Sequence, residues 1–151
     1  GFVATELDQC PLSEVISAVG AVFRKVQPNV VLLPHSGDVH TDHQVTFEAA
    51  FACTKRFRFP WVERVLVYET ISETDFAPGD HSPQFSPNVF VDITRFLRGK
   101  CDAMKLYDGE WGEHPFPRSL RHLEARAVTR GAVAGVEYAE AFMLLREVEA
   151  G

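Results

Sequence analysis

The sequence predicts an α/β fold in which helices lie on both faces of a mostly parallel sheet, and three observations carry that prediction. Segments of helical period alternate with short apolar runs along the chain. Two of those runs, Val30-Val31-Leu32-Leu33 and Arg64-Val65-Leu66-Val67-Tyr68-Glu69, are continuous rather than alternating, as strands buried on both faces read. The densest group of chemically active side chains follows the first run directly, and ligands bind at the carboxyl ends of strands in open α/β sheets.

Each element can be justified in order. After Pro11, the residues Val15, Ile16, Val19, Val22, Phe23 and Val26 recur at helical spacing, with Arg24 and Lys25 near the end and Pro28 beyond. That pattern is a helix of about four turns. The 30–33 run, bounded by Pro28-Asn29 and Pro34, is the strand it feeds. Val45, Phe47, Ala49, Ala50, Ala52 and Cys53 indicate a second, well-buried helix that ends before Phe59-Pro60 and has His43 at or near its first turn. The strand at 64–69 runs out into the polar stretch Thr70-Ile71-Ser72-Glu73-Thr74. Residues 76–88 hold three prolines and a glycine and should form an irregular loop, of the length that often serves as a lid or binding loop. Val89-Phe90-Val91-Asp92 is a short strand, after which Asp92 or Thr94 caps a helix through about Tyr107. A last helix spans roughly Ser119 to Ala134, and Ala141-Phe142-Met143-Leu144-Leu145 is a closing strand. Phe57, Phe59 and Trp61 read as core, with stacking on a sugar ring as the lesser alternative.

The 151 residues, 46% hydrophobic, suffice for one domain spanning 1–151 and are too few for two comfortable ones. A net charge of −6, with no block of Lys or Arg along any predicted face, offers no field for phosphate backbones, so nucleic acid is not an expected partner. No apolar run approaches the roughly 20 residues of a membrane span, and the start Gly1-Phe2-Val3-Ala4-Thr5-Glu6 is not that of a signal peptide. Cys10, Cys53 and Cys101 are odd in number, far apart and free of CxxC spacing. That usage argues against a disulfide framework or a thiolate zinc site and fits reduced thiols in the cytoplasm.

The stretch Pro34-His35-Ser36-Gly37-Asp38-Val39-His40-Thr41-Asp42-His43 contains three of the six histidines and two aspartates. Imidazole suits zinc or iron, and carboxylate can act as ligand, base or orienter, so the composition fits a catalytic metal site. His40 and His43 are three apart, and a turn or first helical turn can aim both at one point. Asp42 lies between them and can fix the tautomer of an imidazole through its second nitrogen. His35 and Asp38 are candidates to line the same crevice. The bland alternative is a polar turn rich in His and Asp. His81 in the proline-rich loop, His114 before Pro115 and His122 on a polar helix face read as surface residues, and none is assigned to metal.

An ordered series of short motifs accompanies this cluster. It comprises His40-Thr41-Asp42-His43, Tyr68-Glu69-Thr70 after a strand, and Phe85-Ser86-Pro87-Asn88-Val89-Phe90-Val91-Asp92-Ile93-Thr94. Lys100 with Ala103 and Tyr107 follows, then Arg118-Ser119, Arg130-Gly131 and Ala139-Glu140-Ala141-Phe142. Each motif is unspecific; in this order, over nearly the whole chain, they make it resemble the LmbE/PIG-L family of zinc-dependent N-deacetylases, which act on N-acetylglucosamine conjugates. The resemblance implies a Rossmann-like sheet, a Zn2+ cofactor, an amino-sugar conjugate as small-molecule partner, and is compatible with a homo-oligomer. It makes His43 a zinc ligand, His40 the imidazolium that stabilises the oxyanion, and Asp42 the support of the histidine. It places His35, Asp38, Tyr68, Lys100 and Arg118 near substrate, with ordinary surface residues as the alternative for Lys100 and Arg118.

One departure is large. The family draws two of its three protein ligands and its general base from a His-Pro-Asp-Asp motif after the first strand, whereas the only His-Pro pair here, His114-Pro115, is followed by Phe116-Pro117. Catalytic zinc takes about three protein ligands, and this sequence defends one, or two with His40. The expectation is therefore a carboxyl-terminal part, roughly two-thirds, of such an enzyme, lacking its first strand or strands and the remaining zinc ligands. The alternative is a non-catalytic carbohydrate-binding or regulatory module that has lost its metal site. A phosphoester hydrolase would be expected to show a Gly-rich loop or an Arg/Lys cradle, and neither is present.

Overall fold

The computed structural model describes residues 1–79 and 82–149. A short 3-10 turn, Leu7–Gln9, precedes helix α1, Leu12–Val26. Gln27 closes α1 in the left-handed region (φ 52°) and donates its N–H to the Phe23 carbonyl at 2.8 Å, while Arg24 and Lys25 complement the dipole of the last turn. Strand β1 is Val30–Pro34, helix α2 Thr41–Ala52 and strand β2 Arg64–Tyr68. Then come strand β3, Val89–Asp92, helix α3, Leu97–Met104, helix α4, Leu120–Ala134, and strand β4, Ala139–Glu147. The four strands form one sheet in the order β1-β2-β4-β3. β1 and β2 are parallel, in register from Val30 with Arg64 to Pro34 with Tyr68. β3 and β4 are antiparallel, from Val89 with Phe142 to Asp92 with Ala139.

The chain forms two compact units, Gly1–Ser86 with Met143–Gly151, and Pro87–Phe142. In the first, Val31 and Leu33 of β1 and Val65 and Val67 of β2 share a core with Ala50, Cys53, Phe59 and Val62, against which Ile16, Val19 and Phe23 of α1 pack. Burial of Leu33, Val62, Val65 and Val67 contributes about 1.5–3 kcal/mol each. In the second, Ile93, Leu97, Leu123, Ala127, Ala139, Ala141 and Phe142 are buried. Ser119 caps α4 by accepting the His122 N–H, and Gly135 (φ 73°) ends it, a conformation that costs glycine nothing.

Three expectations change. β1 is buried on one face only: Val31 and Leu33 are in the core, and Val30 and Leu32, which alternate with them on the opposite face, are 46% and 53% exposed. β2, inside the sheet, has Val65, Leu66 and Val67 all buried. Phe57 is 78% exposed beneath the Arg58 guanidinium, whereas Phe59 is core and meets Phe23 and Trp61 edge-on. Phe57 sits in the tight turn that closes with Arg58 N–H on the Lys55 carbonyl. Finally, α3 starts at Leu97, without a side-chain cap, and ends at Met104. Asp92 and Thr94 are already used before it, Asp92 Oδ1 accepting the Thr94 N–H and Thr94 Oγ1 the Tyr138 N–H. Among the described residues no helix is long and apolar enough to cross a membrane.

Candidate functional site

The site grows from the loop between β1 and α2 in the first unit. Its first side chain, His35, is 2% exposed, donates from Nε2 to the Pro83 carbonyl at 2.9 Å and meets the Phe85 ring edge-on. Gly37 permits this packing: a Cβ there would lie 2.4 Å from the Pro83 oxygen and 2.8 Å from His35 Nε2. Asp38 is 0% exposed and fully engaged. Its Oδ2 receives His43 Nδ1 at 2.7 Å, its Oδ1 receives Thr74 Oγ1 at 2.6 Å, and its carbonyl receives Gln44 Nε2 at 2.7 Å. Both side chains were expected to line a crevice; they are instead buried and bonded to the protein itself.

A carboxylate only accepts hydrogen bonds, so the proton on neutral His43 belongs to Nδ1 and the lone pair to Nε2. The Asp38 hydrogen bond holds the His43 pKa above its ordinary value, against the opposing effect of partial burial, and the charges of Asp38, Glu73 and Asp42 add to the rise. His40 stands at the N-cap of α2 with its ring stacked on His43, centroids 5.0 Å apart. Its Nδ1 accepts the Asp42 N–H at 3.2 Å, which puts the proton of the neutral ring on Nε2.

The Asp42 carboxylate is engaged by the amino-terminal segment. It accepts the amides of Thr5 at 2.7 Å and Leu7 at 3.1 Å, fastening that segment to the start of α2. Neighbouring residues on a helix point about 100° apart and do not face one another. Asp38 reaches His43 from the loop. Tyr68, beside Pro34 at the end of β2, is half-buried; burial first, and the Asp38 charge second, push its pKa up.

Sequence reasoning missed Thr74 and Glu73. The Glu73 carbonyl accepts the Val39 N–H, and Thr74 completes the Asp38 network. The available signal was that β1 and β2 are adjacent parallel strands, which brings the polar stretch after β2 beside the loop after β1. Lys100 and Arg118 belong to the second unit. There Lys100 pairs with Glu140, and Arg118 bonds the Glu110 carbonyl and carboxylate over the Phe116 ring. His114 is exposed, His122 Nδ1 bonds the Pro117 carbonyl, and His81 lies outside the described residues.

The Asp38–His43 pair has the form of a carboxylate-supported histidine ligand. The donor set is nevertheless incomplete for zinc, as no group of three or more His, Cys, Asp and Glu among the described residues is placed to hold a metal ion.

No family model matches the chain. Solved structures do. The chain aligns over its whole length with the conserved protein TT1542 from Thermus thermophilus, at 26% identity, a TM-score of 0.75 and 66% of that chain. It aligns over 97% of its length with 55% of the N,N'-diacetylchitobiose deacetylase from Pyrococcus horikoshii, at 21% identity and a TM-score of 0.68. The fold is one that a deacetylase uses. It is also similar, over 92% of its length and 61% of the other chain, to GalB, the 4-carboxy-2-hydroxymuconate hydratase from Pseudomonas putida, at 18% identity and a TM-score of 0.70. The chain thus spans between about half and two-thirds of the structures it matches. One fold here carries two chemistries, so the reaction must be argued from the site.

Proposed function

We propose that this chain is part of a zinc-dependent N-deacetylase that removes the acetyl group from an N-acetylglucosamine-type conjugate, with the remaining zinc ligands supplied by residues outside the 151. The observation that carries the reading is His43, pinned through Nδ1 by a fully buried aspartate so that Nε2 keeps its lone pair. Nε2 of His43 would be this chain's contribution to the metal, which when bound polarises the acetyl carbonyl and activates water. His40 supplies a second function. With Nδ1 facing the Asp42 amide, its Nε2–H is a donor suited to the oxygen that gains negative charge as the amide carbon becomes tetrahedral. Asp42 works at one remove, by holding the helix start that carries both rings. Fold likeness to the chitobiose deacetylase supports the reaction class; likeness to the hydratase shows why it needs a direct test.

That test is acetate release from N-acetylglucosamine conjugates by a polypeptide extended upstream of Gly1 and supplied with zinc. The reading requires release that His43→Ala abolishes; no acetate from any such conjugate removes it. The incomplete donor set favours a second reading, a carbohydrate-binding module without metal. Stoichiometric zinc in the purified extended protein would exclude that reading, and sugar binding without zinc would support it.

A further inference from the structure

We infer that Thr74 is a positioning residue that fixes the tautomer of His43 through Asp38, by a chain of hydrogen bonds whose donors can point only one way. The chain starts at a backbone group. Thr70 N–H, just past the end of β2, donates to Thr74 Oγ1 at 2.8 Å. A hydroxyl has a single proton, and the carboxylate it meets can only accept, so the Thr74 proton goes to Asp38 Oδ1 at 2.6 Å. The other carboxylate oxygen, Oδ2, is left facing His43 Nδ1 at 2.7 Å and must receive its proton. Asp38, an acceptor only, sets the proton of the neutral ring on Nδ1, and Thr74, itself held by the Thr70 amide, keeps that carboxylate in the orientation that presents Oδ2 to the ring and leaves Nε2 bare. Thr74 itself is held by its own N–H on the Thr70 carbonyl at 2.9 Å, so the hydroxyl sits on a closed turn.

Without the hydroxyl, Asp38 Oδ1 would be a buried acceptor lacking its partner, in a residue with no access to water. The carboxylate would then gain by rotating or by drawing in solvent, and the ring it orients would lose its single arrangement. The importance of this for catalysis rests on the deacetylase reading, whereas the wiring itself does not.

The test reads the His43 ring without substrate or metal. Protein with 15N-labelled histidine is compared with Thr74→Val and Thr74→Ser at a pH where His43 is neutral. The wild type is expected to show a pyrrole-like Nδ1 and a pyridine-like Nε2 for His43. Thr74→Val, which keeps the shape and removes the donor, is expected to move both signals toward each other as the tautomers mix, and Thr74→Ser to restore the wild-type pattern. A Val spectrum like that of the wild type overturns the inference, as does a Ser spectrum displaced as far as Val's. A second measurement needs no substitution: the Thr74 hydroxyl proton should exchange slowly enough to be observed in the wild type, and a freely exchanging hydroxyl also overturns it. An intact tautomer lock in a protein that releases no acetate would leave this wiring standing and remove only the deacetylase reading.

Discussion

Asp38 in the first unit and the ion pairs of the second hold their charges in opposite ways. In the first, Asp38 is sealed from water and satisfied by Thr74 and His43, partners drawn from distant and near positions in the sequence. In the second, Lys100 with Glu140, Lys105 with Asp102 and Arg118 with Glu110 make pairs whose members remain open to solvent. A buried carboxylate loses its hydration and is tolerated when its oxygens find donors, whereas surface pairs are screened and each contribute about 0–1 kcal/mol. The position of Asp38 is therefore dictated, and those of the surface pairs are merely permitted. A precise site belongs where positions are dictated.

Four measurements can break or sharpen that contrast. The largest effect is expected from Asp38→Ala, which strands the Thr74 hydroxyl and the His43 N–H and should cost about 3 kcal/mol in urea unfolding. A loss below about 1 kcal/mol would make Asp38 no different from a surface carboxylate. Gly37→Ala comes next, because its Cβ would press on the Pro83 carbonyl and His35. A loss of about 1–3 kcal/mol is expected, with the wild-type midpoint as the contrary result.

Third is the titration of His43 in protein without metal, followed by ring carbon NMR. The midpoint should lie above the ordinary 6.5 and fall in Asp38→Asn, since the Asp38 hydrogen bond is the main cause of the rise. The sign follows from linkage: a raised pKa in the folded state stabilises the fold fully below the unfolded value and loses that contribution as pH climbs through the folded one. The pH dependence of stability attributable to His43 should thus lie at and above 6.5 and flatten in Asp38→Asn. The smallest effect belongs to Lys100→Ala and Arg118→Ala, expected to stay within about 1 kcal/mol of wild type in thermal unfolding. A larger loss in either would show that the second unit also relies on its charges.

Much of the fold was legible because it is local. The helical period of 15–26, the serine before Leu120 and the continuous apolar run of β2 each announce themselves within a few residues. What stayed hidden depends on neighbours in space. Four apolar residues read alike whether a strand is buried on one face or on both, so the exposed face of β1 could not be seen in Val30–Leu33 alone. The antiparallel pairing of β3 with β4 joins segments separated by two helices. At the site, the cluster and the place of His43 on α2 were readable, but the identity of its carboxylate was not. Asp42 is nearer in sequence and faces elsewhere, while Thr74 bonds Asp38 across 36 positions.

The open side of β1 has a consequence for the chain in concentrated solution. An edge strand presents backbone donors and acceptors at a fixed spacing, and among the described residues β1 pairs on one side only, with two exposed aliphatic side chains, Val30 and Leu32, and a proline, Pro34, only at its far end. Such an edge is a seed for strand-by-strand growth. The 151 residues by themselves should be prone to sheet-mediated aggregation that begins at β1, and covering that one strand would suppress it.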